Sequence, residues 1–109
     1  MRQVDVKDLA AMCSGAAAPV LLDVRERWEV ELAAIRIEGA GIQHIPMGEI
    51  ADRLDEIDRA RPVVCICHHG VRSAQVVAFL ARNGFDPVYN LAGGVEAWAV
   101  QVDAGVPQY

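Results

Sequence analysis

Val63-Val64-Cys65-Ile66-Cys67-His68-His69-Gly70-Val71-Arg72-Ser73 runs from an unbroken apolar segment, through a polar loop, into the start of a helical pattern. An apolar run without alternation reads as a strand covered on both faces. Val76, Val77, Phe79 and Leu80 recur at helical spacing, which predicts a helix over Ser73 to Asn83, with Gly84 as its stop. Strand, short loop and helix in succession begin a parallel-sheet unit. Cys67 is then at a strand's carboxyl end, beside a helix N-terminus and near Arg72. Unpaired amides of the first turn, the helix dipole and a nearby cation all favour a sulfur anion there. Gly70 lets the short loop turn its amides toward the sulfur, forming an anion-binding nest.

The same alternation extends in both directions. Val20 to Asp23, Ile42 to Ile45 and Val88 to Leu91 read as further strands, with a weaker one over Gln3 to Val6. Helices are predicted from Asp5 or Val6 through Met12, from Trp28 to Leu32, and from Gly94 to Val102. Met47 to Ile57 also reads as a helix, because Ile50, Leu54 and Ile57 share a stripe. The tail from Asp103 to Tyr109 is predicted to wrap the surface. These elements predict an α/β fold with a mostly parallel sheet, whose ligands sit at the carboxyl ends of the strands.

A chain of 109 residues that is 53% apolar and 23% charged predicts one soluble globular domain spanning 1–109. No apolar run reaches the ~20 residues that span a bilayer, so no membrane partner is expected. Met1 to Asp5 has an early acid and no apolar core, so no secretory signal is expected there, and the predicted location is cytoplasmic. A net charge of −5 disfavours nucleic acid as a partner. Three cysteines, Cys13, Cys65 and Cys67, are an odd count that suits free thiols in a reducing compartment. Cys65 and Cys67 would have Cα atoms about 6.6 Å apart on one strand with parallel side chains, which disfavours a disulfide. Their spacing with His68 and His69 does not close a zinc tetrahedron, so no metal is expected.

Cys67-x4-Arg72-Ser73 resembles the active-site loop of rhodanese-type sulfurtransferases. Further segments match in order: Leu22-Asp23-Val24-Arg25-Glu26 with Trp28, Ile37-Glu38-Gly39-Ala40, His44-Ile45-Pro46, Gly84-Phe85, Val88-Tyr89-Asn90-Leu91, and Gly93-Gly94-Val95-Glu96-Ala97-Trp98. The chain departs from the pattern at Ile35-Arg36-Ile37-Glu38, where many relatives carry Gly-His-Ile-Pro. The resemblance implies a rhodanese-like fold, a parallel five-stranded sheet flanked by helices on both faces. It also implies sulfane-sulfur transfer through a Cys67 persulfide, from a small donor such as thiosulfate or a persulfide to cyanide or to a thiol, free or borne by a protein. No cofactor is implied.

Within that frame the amides of His68, His69, Gly70, Val71, Arg72 and Ser73 are read as the substrate-binding shell around the sulfur. Two roles stand open for Arg72: holding an oxyanion through its forked donors, or tying the loop to carbonyls or an acid. His68 and His69 are read as solvent-facing, and Ser73 as the N-cap of its helix. Asp23 and Arg25 are read as a buried or rim ion pair supporting the loop. Trp28 and Trp98 are assigned to packing, and Cys13 and Cys65 to the core. Two rival readings accompany this one. A phosphatase or arsenate reductase on the same fold has Cys-x5-Arg, a loop one residue wider that admits a tetrahedral oxyanion. A sulfur-carrier or binding module has no turnover of its own.

Overall fold

The computed structural model describes residues 1–109. Five strands, β1 (Arg2–Val4), β2 (Val20–Asp23), β3 (Ile42–His44), β4 (Val63–Ile66) and β5 (Val88–Leu91), form one sheet in the order β1-β5-β4-β2-β3. Every pairing is parallel. Four helices connect and cover them: α1 (Val6–Cys13), α2 (Arg27–Leu32), α3 (Val71–Arg82) and α4 (Gly94–Gln101). No helix is long and apolar enough to cross a membrane.

The pleat of β4 explains why its sequence is apolar throughout. Val63, Cys65 and Cys67 join Leu22, Ile50, Val76 and Leu80 in one core, under α3. Val64 and Ile66 point the other way, joining Leu9, Leu21, Leu91 and Trp98 under α1 and α4. With α3 on one face and α1 and α4 on the other, the central strands β2 and β4 are buried on both sides. Cys65 and Cys67 lie on the same face, and all three cysteines are free.

The segment predicted as a helix over Met47 to Ile57 is instead two 3-10 turns, Met47–Asp52 and Leu54–Glu56, separated at Arg53. Arg53 has φ −126° and ψ 23°, outside helical geometry, and its amide bonds to Ile50 O at 3.1 Å. Its guanidinium bridges both turns, reaching Glu49 at 3.0 Å and Glu56 at 2.8 Å. Ile50 and Ile57 are buried as their pattern predicts. The first strand ends at Val4, because Asp5 caps α1 by accepting from Lys7 N at 2.9 Å. The tail is more than a surface wrap, since Val106 is buried in the second core.

Candidate active site

The β4–α3 loop is short because Gly70 ends it in a left-handed conformation, φ 101°. Helix α3 therefore begins at Val71, two residues before the predicted start. Ser73 is the third helical residue, fully buried, and it is not the N-cap. From there its Oγ lies 3.1 Å from Cys67 Sγ. The Gly70 amide donates to the same sulfur at 3.1 Å. One loop amide, that of Gly70, thus donates to Cys67, in place of the ring expected from His68 through Ser73. Val71 points to solvent.

The backbone behind the loop is held by α4. Val95 N donates to Cys67 O at 2.9 Å and Glu96 N to His68 O at 3.0 Å. Gly93 and Gly94 allow this approach: both have positive φ, and a Cβ on Gly94 would stand 2.6 Å from His68 O. Asn90 of β5 adds a side-chain brace. Its Oδ1 accepts from Ser73 Oγ, and its Nδ2 donates to Gly70 O at 3.0 Å.

Arg72 is tied to an acid, the second of its two open roles. Its Nη1 and Nη2 each donate to Glu29 carboxylate oxygens at 2.7 Å, a bidentate pair. This commits the forked edge of the guanidinium that an oxyanion would use. Glu29 is buried, and its carboxylate also accepts from Glu26 N at 2.9 Å and from Tyr109 Oη at 3.1 Å. The Arg72 fork above all holds the Glu29 carboxyl down at about 2. The Arg72 guanidinium is correspondingly raised.

Tyr109 links this pair to a second one. Arg25 is fully buried and donates to Asp23 through Nε at 2.9 Å and Nη2 at 2.7 Å. Its Nη1 donates to Tyr109 Oη at 2.8 Å. The Tyr109 hydroxyl, accepting from Arg25 and donating to Glu29, thus joins the Asp23–Arg25 and Glu29–Arg72 pairs, in which two carboxylates balance two guanidiniums.

His68 does not face solvent, contrary to its reading from sequence. Its ring is stacked between His69 and Tyr109, with centroids 3.8 Å away on each side. Burial, then the neighbouring His69, lowers its pKa and favours the neutral ring. His69 is exposed. Trp28 is a rim residue, edge-on to Tyr109 at 6.0 Å, while Trp98 is core. Cys13 is half-buried at a core edge. Cys65 is sealed in, and burial pushes its thiol up to about 12.

Cys67 itself is 1% exposed, and it lines none of the molecule's cavities. The largest cavity, about 610 Å³, opens beside β3 between Ile35, Ile37, Ile42 and His44. No group of three His, Cys, Asp or Glu side chains is placed to hold a metal ion.

Glu29, Asn90 and Tyr109 are the site residues that the sequence reading passes over. Glu26-x-x-Glu29 carried a signal, the spacing of a capping box before an apolar run. Asn90 carried another, a lone polar side chain in the strand Val88 to Leu91. Tyr109 carried none.

Comparison with known proteins places this geometry among relatives. The family model described as "Rhodanese-like domain" matches residues 5–101. A thiosulfate sulfurtransferase GlpE from Actinobacillus succinogenes is 38% identical over 88 residues, covering 81% of this chain and 73% of that protein. The Arabidopsis thaliana protein "Rhodanese-like/PpiC domain-containing protein 12, chloroplastic" is 32% identical over 93 residues; 82% of this chain is aligned, but it spans only 30% of that protein's length. The crystal structure of a rhodanese-like domain protein from Staphylococcus aureus superimposes with a TM-score of 0.80 at 30% identity, covering 100% of this chain and 99% of that one.

Proposed function

The chain belongs to the rhodanese-like domain family, and from that premise we propose that it transfers sulfane sulfur through a persulfide on Cys67. The observation that carries this reading is the placement of one sulfur at the carboxyl end of the central strand, met at 3.1 Å by the Gly70 amide and at 3.1 Å by Ser73. The Gly70 amide, fixed in place beside the sulfur, stabilises an anion in these water-poor surroundings better than solvent does. In the first step the Cys67 thiolate attacks the outer sulfur of thiosulfate. The sulfur–sulfur bond of the donor breaks, and sulfite leaves with its electron pair. Cys67 then carries a persulfide, whose terminal sulfur bears the charge. In the second step an acceptor thiolate or cyanide attacks that terminal sulfur, and Cys67 leaves as the thiolate. No change in the protein's redox state remains after both steps.

Phosphoryl transfer is the weaker reading of the same loop. It needs the arginine fork around a tetrahedral oxyanion, and here that fork is closed on Glu29. The four-residue spacer also leaves less room against the sulfur than a five-residue one. The carrier reading draws on a different observation, the burial of Cys67 away from every cavity. A sulfur that small donors reach slowly suits exchange with a docked protein.

Intact mass after incubation with thiosulfate and desalting tests the proposal. One added sulfur atom is expected, mapping to the Cys67 peptide, absent from Cys67→Ser and removed by cyanide with release of thiocyanate. An unmodified Cys67 with thiosulfate, and modification only by a persulfide-bearing protein, favours the carrier. Modification retained in Cys67→Ser would falsify the assignment of the nucleophile.

A further inference from the structure

Ser73 has one hydroxyl hydrogen and two neighbours that compete for it. The amide of Asn90 decides where it goes. Asn90 Nδ2 donates to Gly70 O at 3.0 Å, so the opposite face of the amide, Oδ1, meets Ser73 Oγ. An amide oxygen carries no hydrogen, so Ser73 must be the donor in that bond. Its only hydrogen is then used. A hydrogen in the 3.1 Å contact between Ser73 Oγ and Cys67 Sγ can then come only from the sulfur. The Gly70 amide approaches the same sulfur as a donor. Asn90 therefore holds both groups that touch the sulfur, Ser73 by its oxygen and Gly70 through its carbonyl. It is buried on β5, in register with Cys65 of β4.

The charged and titratable groups around Cys67 are few. Arg72 of α3 and Cys65 of its own strand act on it directly. Glu29 of α2 acts through Arg72. His68 follows in the loop, with Glu96 of α4 3.8 Å from its Nε2. From β5 the facing residue is the uncharged Asn90.

We propose that Asn90 is a positioning residue that holds the Ser73 hydroxyl hydrogen off the sulfur, and that the hydroxyl turns to the sulfur when the Cys67 proton leaves. In that step the S–H bond breaks and the proton passes to solvent water. Ser73 keeps its hydrogen and exchanges its bond to Asn90 Oδ1 for one to the sulfur anion. Nothing is oxidised or reduced. The proposal rests on Cys67 being the reacting sulfur.

The pH profile of Cys67 alkylation by iodoacetamide tests it, read by peptide mapping in a Cys13→Ser background. Asn90→Ala should move the midpoint down by about one pH unit, because the hydroxyl hydrogen then has only the sulfur to bond, and a hydrogen bond to a charged group contributes about that much. In a Ser73→Ala background, adding Asn90→Ala should give no further downward shift. An equal shift in both backgrounds overturns the proposal, since Asn90 then acts through Gly70 or the fold at large. An unmoved or raised midpoint in the single variant overturns it too. Asn90→Leu, close in volume, gives the same cycle and is read where the alanine variant does not fold. Alkylation needs no sulfur donor, so the profile stays readable if thiosulfate fails to load Cys67. Normal loading with a flat cycle removes only the role given to Asn90.

Discussion

Glu29 shows how one side chain orders the surroundings of a sulfur without touching it. Its carboxylate binds Arg72, the Glu26 amide and Tyr109, and its pKa is held near 2 against an ordinary 4.5. The folded state therefore binds this proton less readily than the unfolded chain. The contribution to stability is present above pH 4.5 and is lost as pH falls toward 2. Melting temperature followed across that range should drop, and Glu29→Gln should flatten the Glu29-dependent part of the drop. Arg72→Ala should destabilise the protein by roughly 2–3 kcal/mol, between the ranges for exposed and buried pairs, because it strands a buried carboxylate. Arg72→Lys should recover part of that loss, keeping the charge but losing the fork. Both should slow sulfur uptake, since the same arginine stands in the first turn of α3. Thermal melts beside thiosulfate-loading rates check this, and an Arg72→Ala protein with unchanged stability and loading removes the pair from the account.

At the scale of elements, the turn from β5 into α4 matters as much as the cysteine loop it supports. Gly93 and Gly94 bring the first amides of α4 onto the carbonyls of Cys67 and His68. Gly94→Ala puts a methyl group into that contact and forces a side chain into positive φ. A loss of more than about 3 kcal/mol is expected, with the loop displaced as well. Denaturant unfolding measures the first, and the alkylation rate of Cys67 the second. The strands were legible because buried parallel strands are apolar runs, as Val63 to Ile66 and Val20 to Leu22 show. The two 3-10 turns at Met47 and Leu54 were not, because an Ile50–Leu54–Ile57 stripe suits an α-helix equally well. Within the site, Cys67 and Gly70 announced themselves by strand end and loop length. Glu29 and Tyr109 did not: their bonds to Arg72 and to each other join residues 43 and 80 positions apart. Local pattern carries no information at that range.

Across the whole molecule, the sheet gathers the ends of β2, β4 and β5 at one rim, and the tail returns there to place Tyr109 against His68. The chain carries a net charge of −5. The Arg72–Glu29 pair also neutralises a guanidinium whose charge acts on Cys67. If thiosulfate is the donor, its dianion would meet a paired arginine on a protein of net negative charge. Electrostatic guidance is then absent or weakly adverse, and ions in solution screen the adverse part. The second-order rate of sulfur uptake from thiosulfate should hold steady or rise as sodium chloride is added, where an attractive funnel would make it fall. Stopped-time loading assays over a range of ionic strength read this directly, and a steep decline with salt would mean that Arg72 leaves Glu29 to meet the donor.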